Sequence, residues 1–371
     1  MIHISNNFIS STVHASVIAE LSKTFEDQLV IVPIRERAHE GKNTDGLVNV
    51  RFKFICFNNK IVKFFPLLKV LLLSLRVHSL LSAAGKACGG RGKKLNVIAH
   101  NFWSDGTLAF FNSFFIPMRY MLVVRNTDIN YFIARLPHYR WLMAWAIRRS
   151  EGLTFVSRSH YLRFKAQWPN LLAHASKVEI IPNALSDWWL DNMVEKPIVR
   201  PTQVCFVGRF DANKNLVNLL NAAQIVRAAM PDFRLVLVGG DESELRATTG
   251  YACIPDFVEV RGRLQPEELL DVYRCSRVFV MPSFTETFGL VYLEALSQGC
   301  SVICSIGEGI DGMWEVPFIR AVDPKCVDAL ASDMMELINR FPEGIPVSWS
   351  VPEIRRFDWK RVADKYLEFF S

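Results

Sequence analysis

The sequence predicts an α/β protein built from two doubly wound domains, each a parallel sheet with helices on both faces. Three observations predict it. Short β-branched runs alternate with helix-like segments along both halves of the chain. The alternation stops once, at the mixed connector "SDWWLDNMVEKPIVRPT" (186–202), and then restarts. The chain has 371 residues, half of them apolar, which is enough for two cores and too much for one.

In the first half, "MIHIS", "QLVIVPI", "LNVIAH", "YMLVVR" and "LTFVS" read as buried strands. Helices are expected near 13–24, 136–149 and 158–167. After the connector come "QVCFVG", a helix near 214–229, "FRLVLVG", "FVEVRG", a helix near 265–274, "RVFVMPS", a second helix beginning near Phe288, and "CSVICS". Parallel sheets bind ligands beyond the carboxyl ends of their strands, so the loops after these runs are where chemistry is sought. The domains are placed at 1–190 and 200–350, with a cleft expected between them.

Charge divides the same way. Residues 1–200 hold 26 Lys/Arg against 13 Asp/Glu, whereas 201–371 hold 17 against 24. Within 51–100 there are ten basic residues and no acidic one. These cations interleave with leucines rather than with exposed aromatic and polar groups, so nucleic acid is not an expected partner. The eight cysteines include no C-x-x-C pair and read as free thiols, mostly buried, in a reducing compartment. The first 25 residues lack the basic start and apolar centre of a signal peptide. The longest strongly apolar stretch free of charge, Gly106 to Met118, is shorter than the roughly 20 residues a membrane span takes. A cytoplasmic chain that does not span a membrane is expected.

Two motifs carry chemistry. In "VGRFDANKN" (207–215), Gly208 and Arg209 stand at a strand's carboxyl end and Lys214 at a helix start. A planar guanidinium and a mobile ammonium can converge on one diphosphate. In "SFTETFGLVYLEALSQG" (283–299), Glu286 precedes a helix and Glu294 lies inside it, with seven residues between them. Amides around Phe288, Gly289 and Leu290 would face an anion at the helix start. Glu294 can accept from a vicinal diol such as a ribose, and Glu286 can meet neutral hydroxyls on the far side of the phosphate. The ligand that fits is a sugar nucleotide. Taken singly, each motif also reads as ordinary surface charge.

The ordered set resembles a retaining GT-B glycosyltransferase of family four, in which two Rossmann-like domains face a cleft. Its E-x7-E pattern matches Glu286 and Glu294, and its glycine–arginine and downstream lysine match Gly208, Arg209 and Lys214. "GLTFVSRSHYLRF" resembles the last strand and helix of the first domain, and "KVEIIPNAL" the join. "FDWKRVADKYLEFF" resembles the C-terminal helix that crosses back, here 355–371. The resemblance implies a UDP- or GDP-sugar donor and a glycan or lipid-linked acceptor. Arg209 and Lys214 would hold the diphosphate, Glu294 the ribose and Glu286 the transferred sugar; Arg263 and Leu264 would lie near the base. No D-x-D occurs in the chain, and with Arg209 and Lys214 to neutralise phosphate, transfer without a metal and without a cofactor is expected. "VGGDES" (238–243) lacks the dinucleotide fingerprint, against an oxidoreductase.

One turn departs from the family. "VVRNTDINYF" places Arg125 where a histidine is usual and keeps an acid at Asp128. Arginine cannot act as a base, so its role would be electrostatic. His14 and His100 are expected on the acceptor side. The basic, leucine-rich segment 58–86 reads either as a buried helix or as one lying on an anionic membrane at the inner face of the cell membrane. The family's role in surface polysaccharide or lipid-linked oligosaccharide assembly is the implied setting. A soluble small-molecule glycosyltransferase and a catalytically silent nucleotide-sugar-binding module stay open beside it.

Overall fold

The computed structural model describes residues 1–25, 27–58, 65–87 and 94–371. They form two compact units. One comprises Met1–Val156, Arg163–Asn183 and Trp359–Ser371; the other comprises Ser157–Leu162 and Ala184–Asp358.

The first unit holds β1 (Ile2–Ile4), β2 (Gln28–Ile34), β3 (Val50–Cys56), β4 (Leu95–Ala99), β5 (Met118–Val124), β6 (Gly152–Phe155) and β7 (Val178–Ile180), in the order β3-β2-β1-β4-β5-β6-β7. Each neighbouring pair is parallel. The second unit holds β8 (Gln203–Val207), β9 (Arg234–Val238), β10 (Val258–Arg261), β11 (Val278–Val280), β12 (Ser301–Ser305) and β13 (Ile319–Val322), ordered β10-β9-β8-β11-β12-β13 and again parallel throughout. This is the doubly wound α/β architecture the alternation predicts. The direction of winding reverses between β1 and β4 and between β8 and β11, the places where open parallel sheets hold ligands.

The central strands are continuous apolar runs because helices cover both faces. In β8, Val204, Cys205 and Phe206 are fully buried, as are Val278, Phe279 and Val280 of β11. Burying each such large side chain is worth about 1.5–3 kcal/mol. The closing helix, Trp359–Glu368, buries Val362, Ala363 and Tyr366 and packs on Thr12–Ser22, so the chain returns to its first unit.

Strands β3, β7 and β13 were not among the predicted runs. Each lies at a sheet edge, and none of the three shows the closed apolar pattern: β3 alternates exposed with partly buried residues until Ile55. His14 lies in the first turn of the Thr12–Ser22 helix, capped by Ser11, rather than in the preceding loop. The thiols also differ from expectation. Cys205, Cys300 and Cys304 are buried, but Cys253, Cys275 and Cys326 are exposed, and Cys56 lies between; these seven are free, and Cys88 lies outside the described residues.

Within the basic segment, a helix runs from Pro66 to Ala87, with the proline at its first position, where its missing N–H costs nothing. It is long and apolar enough, by length and composition, to cross a membrane, because Lys69 and Arg76 interrupt a charge-free count without shortening the helix; a third of its most apolar window is buried. Val70, Leu73, Val77 and Leu81 pack inward, and His78 and the Ser74 carbonyl meet Asn112 on the adjacent helix. Leu68, Leu71, Leu72 and Leu75 face out. Lys63 lies outside the described residues.

Candidate active site

The second unit's loops assemble around the ends of β8 and β11. β8 delivers Gly208 and Arg209. Asp211 then caps the short turn Ala212–Lys214, accepting from the amides of Asn213 and Lys214 at 3.0 and 3.2 Å. Asn215 follows in the left-handed region (φ 56°), which asparagine tolerates, and its amide holds the carbonyls of Pro282 and Pro324. Asn213 clasps the neighbouring loop: its side chain accepts from the Thr285 amide and hydroxyl and donates to the Thr285 carbonyl. Lys214 and Glu286 are brought together by this clasp. Nζ lies 2.7 Å from Glu286 Oε2, with side chains only 14% and 17% exposed. The other carboxylate oxygen accepts the Thr287 amide at 3.0 Å.

Arg209 is exposed, and its guanidinium makes no hydrogen bond or ion pair among the described residues. Gly208 faces Gly239, whose φ of 121° suits glycine; a Cβ there would lie 2.3 Å from the Gly208 carbonyl. The Gly239 amide in turn meets the carbonyls of Arg261 and Gly262. The loop bearing Arg263 and Leu264 is therefore tied to the strand end beside Gly208, with Arg263 exposed and Leu264 packed on the core.

The helix after β11 starts at Leu290, directly after the expected start near Phe288-Gly289. Gly289 is its N-cap at φ 77° and supplies no capping side chain, so the first amides are left without a side-chain acceptor. A Cβ at Gly289 would sit 2.7 Å from the Tyr292 ring. Phe288 is core. Glu294, one turn in, accepts from the Tyr273 hydroxyl at 3.2 Å. Burial pushes its carboxyl up to about 7, while the Tyr273 bond pulls the other way. Glu294 is thus no loose surface charge. Tyr273, Asn213 and Glu308, whose carboxylate accepts the Glu286 amide at 2.7 Å, were not picked out from sequence. Only the turn-rich "DANKN" carried a local signal for one of them, Asn213.

The first unit has its own polar cluster, after β1, β4 and β5. His3 Nε2 donates to Gln28 Oε1 at 2.6 Å, which leaves its Nδ1 to accept from His100 Nε2 at 3.0 Å. His14 bonds Ser5 Oγ at 2.8 Å and lies 4.7 Å, ring to ring, from His100. Burial first, then neighbouring positive charge, lowers His14 and His100 well below the ordinary range; His3 falls to about 3, by burial against the Gln28 bond. Arg125 Nε donates to the His100 carbonyl at 2.9 Å, and its Nη2 is buried without a hydrogen-bond partner. Asp128 accepts three amides, from Phe102, Trp103 and Arg125, at 3.1, 2.9 and 3.0 Å. Burial raises it to about 6 and Asp105 to about 7. His14, His100, Arg125 and Asp128 are therefore neighbours.

Residues 201–340 match the family model Glycosyl transferases group 1. The chain is similar to the D-inositol 3-phosphate glycosyltransferase of Rhodococcus jostii (strain RHA1), 36% identical over 118 residues, 29% of this chain and 25% of that protein. It is also similar to the O-antigen chain mannosyltransferase B of Escherichia coli, 29% identical over 137 residues, 35% of each chain. The likeness thus spans about a quarter to a third of these curated relatives. Among solved structures, the lipopolysaccharide outer core galactosyltransferase WaaB, apo form, superposes with a TM-score of 0.73 at 14% identity, over 100% of this chain and 98% of that one. Anabaena Alr3699/HepE, in complex with UDP and glucose, gives 0.66 at 14%, over 100% and 98%. In sequence, then, residues 201–340 resemble the group 1 glycosyl transferases, and in fold the whole chain is a GT-B protein like its structural neighbours.

Proposed function

We propose that this protein is a glycosyltransferase that moves a sugar from a nucleoside diphosphate to an acceptor hydroxyl, with retention at the sugar and without a metal. The observation that carries the reading is the Lys214–Glu286 pair beside exposed Arg209 and the uncapped helix start at Gly289. Arg209, Lys214 and the helix amides supply positive charge where a diphosphate leaving group gathers negative charge as the glycosidic bond breaks. Glu294 receives the ribose hydroxyls. Glu286, already bonded to Lys214, spans from phosphate to transferred sugar, and the acceptor attacks from the leaving-group face. Arg125, Asp128, His14 and His100 lie on the acceptor side in this reading as a largely buried support for the loops there, not as groups that touch the acceptor. The test is a thermal-shift screen with UDP, GDP and ADP, followed by nucleotide release from the matching sugar donors. Stabilisation by one nucleotide, and release from its sugar conjugate that survives EDTA, is expected; no shift with any nucleotide overturns the reading.

The acceptor setting is a surface glycan or lipid-linked oligosaccharide at the inner face of an anionic membrane. Its support is the exposed face of the Pro66–Ala87 helix, where Leu75 is 71% and Phe65, just before the helix, 58% exposed, in a region of ten basic and no acidic residues. The protein is expected to sediment with anionic vesicles and not neutral ones, and Leu75→Glu to weaken this without lowering nucleotide affinity. Binding indifferent to lipid charge and salt would exclude it.

A further inference from the structure

We propose that Glu308 is a positioning residue for Glu286, a role that rests on the donor-site reading above. Glu308 lies in the loop between β12 and β13, flanked by Gly307 and Gly309 at φ 74° and 55°. It is 5% exposed, an unusual place for a glutamate. Its Oε2 accepts the Glu286 amide at 2.7 Å, and the next residue's amide, on Gly309, donates to the Glu286 carbonyl at 3.0 Å. Both backbone groups of Glu286 are thus held by two consecutive residues of one loop. The approach is close: a Cβ at Gly309 would lie 2.8 Å from the Tyr292 ring and 3.5 Å from Glu286 Cγ.

The loop is itself anchored. Ser159 Oγ donates to the Gly309 carbonyl at 3.0 Å, and the Asp311 carboxylate accepts the Gly307 amide at 2.7 Å. The fully buried His160 places Nε2 3.9 Å from Glu308 Oε2, and neither of its ring nitrogens has a hydrogen-bond partner among the described residues. A buried imidazole is costly to leave unsatisfied, so a carboxylate at this distance matters to it. Glu308 is held between the Glu286 amide and this ring.

The consequence is a division of labour. Lys214 and the Thr287 amide fix the Glu286 carboxylate from the side-chain end, and Glu308 fixes it from the main-chain end. Removing Glu308 frees the Glu286 peptide to turn and moves the carboxylate away from the sugar, while nucleotide contacts at Arg209 and Glu294 stay in place.

The test compares affinities by calorimetry for UDP-glucose and UDP, or GDP-mannose and GDP, whichever pair the wild type binds. Glu308→Ala is expected to weaken the sugar nucleotide about tenfold relative to the bare nucleotide, the loss of one charge-assisted hydrogen bond. Glu308→Asp, too short to reach the amide, should behave like Ala. Glu308→Gln keeps an acceptor oxygen at the same reach and should stay within about threefold of wild type, since neutral acceptors are only about half as strong. If Glu308→Ala does not fold, the Asp and Gln variants, which keep most of the buried volume, decide the matter. Equal losses for sugar nucleotide and nucleotide, or an Asp variant that matches Gln, would make Glu308 a mere loop staple and overturn the proposal. Glu286→Ala separates the two levels. If it shifts the ratio and Glu308→Ala does not, only the positioning role falls. If the wild type binds neither pair, or Glu286→Ala leaves the ratio unchanged, the donor-site reading falls and takes this one with it.

Discussion

The carboxyl ends of the two sheets carry polar clusters of opposite character. In the first unit the groups are sealed: His3, His14, His100, Asp105 and Asp128 are each at most 1% exposed, and Asp128 is fully engaged by three amides. In the second, Arg209 is exposed and unpaired among the described residues, and the Lys214 and Glu286 side chains are paired with each other at a position that stays 14% and 17% exposed. A sealed network specifies a fold, because disturbing it strands buried polar groups. In a mostly buried ion pair the desolvation cost roughly offsets the attraction, and a pair that keeps some opening can exchange one partner for a ligand. The difference teaches where binding energy is available without a folding penalty.

The comparison breaks first at Lys214. Lys214→Ala should lower turnover by about 10²–10³, the cost of removing one charge that stabilises a developing anion, with a smaller loss of Tm than Asp128→Ala because Glu286 keeps the Thr287 amide and an opening to solvent. A large drop in Tm with full activity in the remaining fold would place Lys214 with the structural groups instead. On the sealed side the reverse is expected. Asp128→Ala strands three amides and should cost about 3 kcal/mol or more of stability, read by denaturant unfolding.

Glu294 sharpens the contrast, being half-buried, between the first cluster and an open surface, yet placed like the second. Glu294→Gln should weaken nucleotide binding by about 1.5–3 kcal/mol. With its carboxyl raised to about 7, wild-type nucleotide affinity should rise as pH goes from 6 to 8, and the Gln variant should not follow. The sign for stability is the other one. A carboxyl whose folded pKa exceeds its unfolded value, about 4.5, favours the folded state when protonated, so that contribution is lost as pH rises through 7.

The smallest effect expected is at His3. Its folded pKa of about 3 lies below the unfolded value of 6.5, so its stability contribution is full above pH 6.5 and fades as pH falls below it. Asp105 opposes this, since its protonated form is favoured in the fold from about 7 downward. His3→Gln should therefore flatten the loss of unfolding free energy between pH 6.5 and 5, by about 1.4 kcal/mol per pH unit at most, with Tm following it. A Tm profile parallel to wild type would show that another group controls acid lability.

Much of this was legible in the chain itself. The two sheets follow from local alternation, since a strand buried on both faces must be an apolar run wherever it lands. Gly208, Arg209, Lys214, Glu286 and Glu294 could be named because each sits at a fixed offset from such a strand or on the helix after it, and local geometry sets that offset. The edge strands β3, β7 and β13 could not, because their residues are mostly only partly buried and leave a weaker apolar pattern, whereas the fourth edge, β10, was legible in "FVEVRG". Nor could Glu308, 22 residues from Glu286, or Tyr273, 21 residues from Glu294. Their meaning comes from loops that the parallel order of β8, β11 and β12 brings together, and no local period records which strand lies beside which. Strand identity, helix register and the charges offered to a ligand were decided by sequence; the partner each charge holds was decided by tertiary structure, because that partner comes from another loop.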